Sequence, residues 1–166
     1  MVILNPKIQQ SKFTLFILLG TWVLFFPNAP YILTDLFHLS YNSSMPIWFD
    51  LVLILSYAWV GLLYGFFSLR DIEDLLQKKI KKSIVRLLII TLLFLGSFGI
   101  YLGRFLRWNS WNLVNKPNQL FEDIGDRFFN PFEHPRTWGF TLFMGLFLNL
   151  LYWSFRIIRR RNVILT

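Results

Sequence analysis

Four stretches of this 166-residue chain run for the length of a membrane crossing without a charge. A helix needs about 20 predominantly apolar residues to traverse the hydrocarbon core, within a range of roughly 17–25. The stretches are 13–34, between Lys12 and Asp35; 51–69, between Asp50 and Arg70; 87–103, between Arg86 and Arg104; and 137–155, between Arg136 and Arg156. This pattern predicts an all-α fold, a polytopic membrane helical bundle with four transmembrane helices, forming a single integral membrane domain over residues 1–166. The first stretch follows Lys7 and Lys12, as a signal peptide would, and is interrupted by Pro27 and Pro30. No small-x-small cleavage site follows, so it reads as a retained span.

The connections have patterns of their own. From Arg70 to Lys82 the chain is acidic first and basic last, with Asp74 and Lys78 spaced as an i,i+4 pair, which predicts a short surface helix resting on anionic lipid. Between Arg104 and Arg136, Asn118 is positioned to cap a helix over 119–129. Leu120, Ile124 and Phe128 form one stripe of that helix, with the Asp123–Arg127 pair opposite, and Asn130-Pro131 ends it. An amphipathic helix between two spans lies in the interface plane or covers a cavity on the outer face. Gly61 with Gly65, and Gly99 with Gly103, are small residues four apart, a spacing that lets helix backbones pack closely.

Composition agrees. Hydrophobic residues make up 55% of the chain and charged residues only 16%, against about 25% charged in soluble domains. The net charge is +8, but the basic residues flank apolar runs, which argues for bilayer orientation and membrane lipids as partners and against nucleic acid. Lys and Arg then set the threading. With both termini in the cytoplasm, twelve lie inside and five outside. There is no cysteine, so thiolate chemistry and Cys-ligated metals are excluded.

Two polar constellations stand out. If the chain after Pro30 is helical, Tyr31, Asp35 and His38 fall on one face and Asn28 extends it, like the wall of a polar cavity. Ser97, Tyr101, Arg104 and Trp108 form a second stripe, and Arg107, three residues after Arg104, lets two guanidinium groups approach one anion. These arginines face the same outer compartment as Asp35, His38 and Asp50, and an Asp35 or Asp50 pairing with Arg104 would relieve both desolvation costs. The plainer readings are a terminating Asp35 and interfacial Trp and Arg anchors. Candidate ligand-binding residues are Asn28, Tyr31, Asp35, His38, Asp50, Arg104, Arg107 and Asn109, and any catalytic role would fall to His38 and Asp35. His134, Glu122 and Asp123 could complete such a site, and Asn149 reads as a helix–helix hydrogen bond. No His-x-x-x-His or Glu-x-x-His pair and no nucleophile elbow is present, and no metal is assigned.

Asn28-Ala-Pro-Tyr-Ile-Leu-Thr-Asp-Leu-Phe-His38, Phe49-Asp50, and Gly99-Ile-Tyr-Leu-Gly-Arg-Phe-Leu-Arg-Trp-Asn-Ser-Trp111 resemble the motifs of a family of small bacterial multi-pass membrane proteins, known only as a domain of unknown function. The resemblance covers roughly residues 15 to 155. The family's third motif ends in an acidic residue where this chain has Asn112. It implies a bacterial inner-membrane location and no activity. The sequence therefore supports an outer-face polar pocket that binds an anionic ligand such as a lipid headgroup. The alternative is an accessory or assembly subunit that packs against a larger membrane complex through Gly61, Gly65, Gly99 and Gly103, with the polar cluster as internal glue; the partner expected beside lipid is a membrane protein or a further copy of the chain. A transporter would need a dimer to form its path.

Overall fold

The computed structural model describes residues 12–39, 46–108 and 110–164, the side chains of 12–16, 18, 37–38 and 159–164 excepted. All regular elements among these residues are helical: α1 (Lys12–Phe25), α2 (Asn28–Tyr31), a 3-10 helix (Ile32–His38), α3 (Ile47–Gln77), α4 (Lys82–Leu106), α5 (Asn112–Asn115), α6 (Pro117–Phe129) and α7 (Pro135–Ile164). Three of them, α3, α4 and α7 as far as Ile158, are long and apolar enough to cross a membrane. They contain the predicted spans 51–69, 87–103 and 137–155. The chain divides into two compact units, residues 1–87 and 88–166, with the boundary inside α4.

The first predicted span is not a single crossing helix. The α1 helix has 14 residues, about 21 Å at 1.5 Å per residue. Pro27 and Pro30 have no N–H to continue its ladder. A turn at Phe26–Pro27 leads into α2, and after Tyr31 the chain tightens into the 3-10 helix instead of resuming an α-helix. Thr34 is fully buried there and donates its hydroxyl to the Tyr31 carbonyl at 2.6 Å.

This broken segment packs antiparallel along α3. The Trp22 indole N–H donates to Ser68 Oγ at 2.6 Å. Further along, a Cβ on Gly65 would lie 3.1 Å from the Ala29 Cβ, and one on Gly61 would lie 2.8 Å from the Ala29 carbonyl oxygen. Gly61 and Gly65 are thus the places where α3 lets another backbone of its own chain come close, the packing role expected of the pair.

The predicted surface helix after Arg70 is instead a continuation of α3. Nothing between Arg70 and Gln77 breaks a helix, and Ile72, Glu73 and Leu75 are buried on the continuing inner face. Gln77 donates to Glu73 Oε1 at 2.8 Å. Asp74 does not pair with Lys78, because the helix already turns at that cap position; it reaches back to Arg70 Nε at 3.7 Å.

In the second unit, Gly145 of α7 packs against the Phe94 ring of α4 with no room for a Cβ. Met144, Leu148 and Tyr152 are buried along α7, and the rings of Tyr101, Phe105 and Phe140 cluster with centroids 4.9–5.9 Å apart. Asn149 donates to the Gly145 carbonyl of its own helix at 2.8 Å, not across a helix pair as expected. The amphipathic helix expected between the last two spans, α6, begins two residues early. Pro117, pre-set for the first helical position, starts it, so Asn118 lies inside the helix and caps nothing. Its buried residues are Leu120 and Arg127, whereas Phe128 is 54% exposed, so the inner face is rotated from the predicted stripe.

Candidate functional site

Of the expected site residues, Asn28, Tyr31, Asp35, His38 and Asp50 fall in the first unit, and Arg104 and Arg107 in the second. The 3-10 helix changes their alignment. The Tyr31–Asp35 spacing of four crosses the junction between two helix types, so the two do not continue one α-helical face. Asn28 is exposed; Tyr31 and Asp35 are half-buried. The His38 side chain and Asn109 lie outside the described residues. Asp50 is half-buried in the first turn of α3, where its charge meets the positive end of the helix dipole.

At the other stripe, Ser97 is fully buried and donates to the Leu93 carbonyl at 2.8 Å, and Tyr101 is buried among aromatic rings. Arg104 is half-buried in the last turn of α4, a favourable place for a cation. The helix then stops sooner than the stripe requires. Arg107 sits beyond it at φ 59°, and the Trp108 N–H bonds back to the Leu102 carbonyl at 3.1 Å. A non-glycine residue in the left-handed region costs about 1–2 kcal/mol. Trp108, the expected fourth member of the stripe, therefore lies beyond the helix, and Arg107 is exposed on a strained turn.

Spacing arguments missed a set of longer contacts around α6. The Trp108 indole N–H donates to Asp123 Oδ2 at 2.7 Å, across fifteen residues. Arg127 Nη1 donates to the Asp123 carbonyl at 2.6 Å and lies 3.6 Å from its carboxylate, as the i,i+4 spacing predicts. Trp138 donates to the Arg127 carbonyl at 3.1 Å, and its ring meets Phe98 and Phe128 at 6.2 and 5.3 Å. Asp126 accepts from Asn130 at 2.8 Å and lies 2.6 Å from His134 Nε2. The Asn130 hydrogen bond, then that of His134, hold the Asp126 carboxyl below the usual carboxylate range. His134 is thus engaged with Asp126. Among the described residues no group of three or more His, Asp or Glu side chains is arranged to hold a metal.

These features define an all-helical, multi-pass membrane protein with a structured loop between α4 and α7. Residues 1–151 match the family model described as Protein of unknown function (DUF1361), and the chain belongs to that family. No curated protein and no solved structure matches it.

Proposed function

We propose that this chain is a four-span protein of a bacterial inner membrane, with both termini in the cytoplasm, and that its outer face forms a polar pocket for an anionic ligand such as a lipid headgroup. Arg104 and Arg107 hold the anion. Asp35 and Asp50 position the guanidinium groups, Asn28, Tyr31 and Asn109 complete the wall, and His38 donates or accepts a proton. The threading rests on the twelve-to-five distribution of Lys and Arg. The fourth crossing is supported by the register of the broken segment on α3. Trp22 is level with Ser68. The ten residues back to Lys12 extend about 15 Å further, roughly to the level of Lys78.

The observation that carries the pocket is the depth of Asp35. Ala29 and Ile32 lie against Gly61, and the 3-10 helix packs along α3. Three residues of 3-10 helix rise about 6 Å, which sets Asp35 near the level of Tyr57. That level is about 9 Å inside the outer end of the apolar run at Leu51. An ionisable side chain at such depth is expensive in hydrocarbon and characteristically serves a site.

Thermal unfolding in detergent of Asp35→Asn, His38→Gln and Arg104→Gln tests the reading. Groups kept for a ligand are held at a cost in stability, so unchanged or raised melting temperatures are expected. A collapse of all three by about 3–5 kcal/mol, the cost of stripping one partner from a buried ion pair, would contradict it. The cluster would then be internal glue, and the accessory-subunit reading would take its place.

A further inference from the structure

Among the described residues, the connection between α4 and α7 carries the two most exposed large apolar side chains, Phe132 at 96% and Phe129 at 86%. Around α6 the side chains fall into three sectors. Leu120 and Arg127 are buried. Phe121 and Phe128, seven residues apart and so within about 20° of each other, form an exposed apolar edge. Asp126 is exposed about 160° around from Phe128, where Asn130 and His134 engage its carboxylate. The apolar edge is thus separate from both the packed side and the acidic side.

Ring contacts fix the depth of this edge. The Phe128 centroid is 5.6 Å from that of Phe98 on α4 and 5.3 Å from that of Trp138 on α7. Phe98 stands five residues before Gly103, the last residue of its uncharged run, and so about 7–8 Å inside it. Trp138 is the second residue of the uncharged run of α7. Phe128 is therefore held within the apolar length of two membrane-crossing helices of its own unit. Phe132 is three residues before Pro135, where α7 begins, a reach of at most about 10 Å. The exposed rings stand where a crossing helix enters the bilayer.

We propose that Phe121, Phe128, Phe129 and Phe132 are sunk in the acyl chains of the leaflet at this end of the spans, and that α6 is an in-plane membrane anchor. Of the two roles an amphipathic helix between spans can take, this is the interfacial one and not a cover over a cavity. Phenyl rings carry no polar group to strand in hydrocarbon, and a patch of them this exposed marks a membrane or partner contact. Their depth beside Phe98 and Trp138 selects the membrane. The charge of α6 agrees. It carries Glu122, Asp123 and Asp126 against Arg127, so attraction to anionic headgroups cannot hold it down and the rings must. The anchor is independent of the proposed anion pocket.

The chain has no cysteine, so single sites can be spin-labelled cleanly. Phe121→Cys, Phe129→Cys and Phe132→Cys, with Glu122→Cys and Glu133→Cys as references, are labelled with a nitroxide in phosphatidylcholine vesicles. Relaxation by oxygen, which concentrates among acyl chains, is compared with relaxation by a water-soluble nickel chelate. Nickel collisions several-fold fewer at 121, 129 and 132 than at 122 and 133, with oxygen collisions frequent, are expected, and the same pattern in vesicles that contain phosphatidylglycerol. Equal nickel collisions at all five sites would put the edge in water and overturn the proposal. Few collisions with either reagent at 121, 129 and 132 would mean that protein covers them, from the rest of the chain or from another copy, and would overturn it equally. Lipid labelled in the middle of its acyl chain reads the unsubstituted protein: the ring signals of Phe129 and Phe132 should broaden more than that of His134, and equal broadening would contradict the depth.

Discussion

Gly61→Ala asks how closely the broken first segment is seated on α3. A Cβ at Gly61 would stand 2.8 Å from the Ala29 carbonyl oxygen, against 3.4 Å where ordinary contact begins, so the two backbones must part by about 0.6 Å. The obstructing atom is backbone and has no rotamer to yield. Overpacking of this kind costs about 1–3 kcal/mol. Against it stands the helix preference for Ala over Gly, about 1 kcal/mol. Gly20→Ala supplies the reference, because nothing lies within 4 Å of its added methyl and only the propensity gain remains. The two variants make the same chemical change and should differ by the full steric cost. At about 2–4 °C per kcal/mol for a chain of this size, Gly61→Ala should melt about 2–12 °C below Gly20→Ala in a detergent thermal scan. Equal shifts in the two would refute the close approach and the register drawn from it.

Further outcomes follow from the second unit. Arg107→Gly relieves the left-handed backbone at φ 59° and should hold or raise the melting temperature while weakening the response to anionic lipid; a clear drop in melting temperature would contradict the strain. Asp126 has a lowered pKa in the folded chain, so its contribution to stability is present above the ordinary carboxylate value of 3.8 and is lost as pH falls from there through the folded value. Asp126→Asn should flatten that acid limb of an unfolding-versus-pH series, and an unchanged limb would show that the carboxylate does not supply it. Trp108→Phe deletes the donor to Asp123 and should cost about 1 kcal/mol, read as faster amide hydrogen exchange over residues 110–116; unaltered exchange would dismiss the indole as a clamp.

Much of the fold was legible because hydrocarbon imposes a simple rule on charge. The uncharged runs 51–69, 87–103 and 137–155 each fall inside a long helix. What the rule does not say is where a helix ends. Arg70 closes an apolar run but breaks no backbone hydrogen bond, so α3 continues to Gln77 and carries Asp74 to Arg70 and not to Lys78. Pro27 and Pro30 were visible as interruptions. Their effect on the next residues, a switch to three residues per turn, depends on packing against Gly61 and Gly65 and cannot be read from spacing.

The site was legible to a lesser degree. Polar stripes drawn at helical spacing assume that the helix persists, and Arg107 and Trp108 lie past the end of theirs. The Asp123–Arg127 pair was found because its partners are four residues apart on one helix. The Asp126–His134 and Trp108–Asp123 contacts join a helix to a loop, where no periodicity signals them. The helix of this connection was legible from its stripe and from Asn130-Pro131, but not the contacts that tie it to Trp108, His134 and Trp138.

The pocket itself is tested most directly by ligand response. Purified protein in a neutral detergent is titrated with short-chain phosphatidylglycerol or with phosphatidylcholine of the same chain length, and unfolding is followed by temperature. An occupied site stabilises by RT ln(1 + [L]/Kd), about 2.7 kcal/mol at a hundredfold excess over Kd. The account predicts a rise in melting temperature with phosphatidylglycerol alone, lost in Arg104→Gln with Arg107→Gln and kept in Lys78→Gln. Equal responses to the two lipids, or a response that survives loss of both arginines, would contradict it.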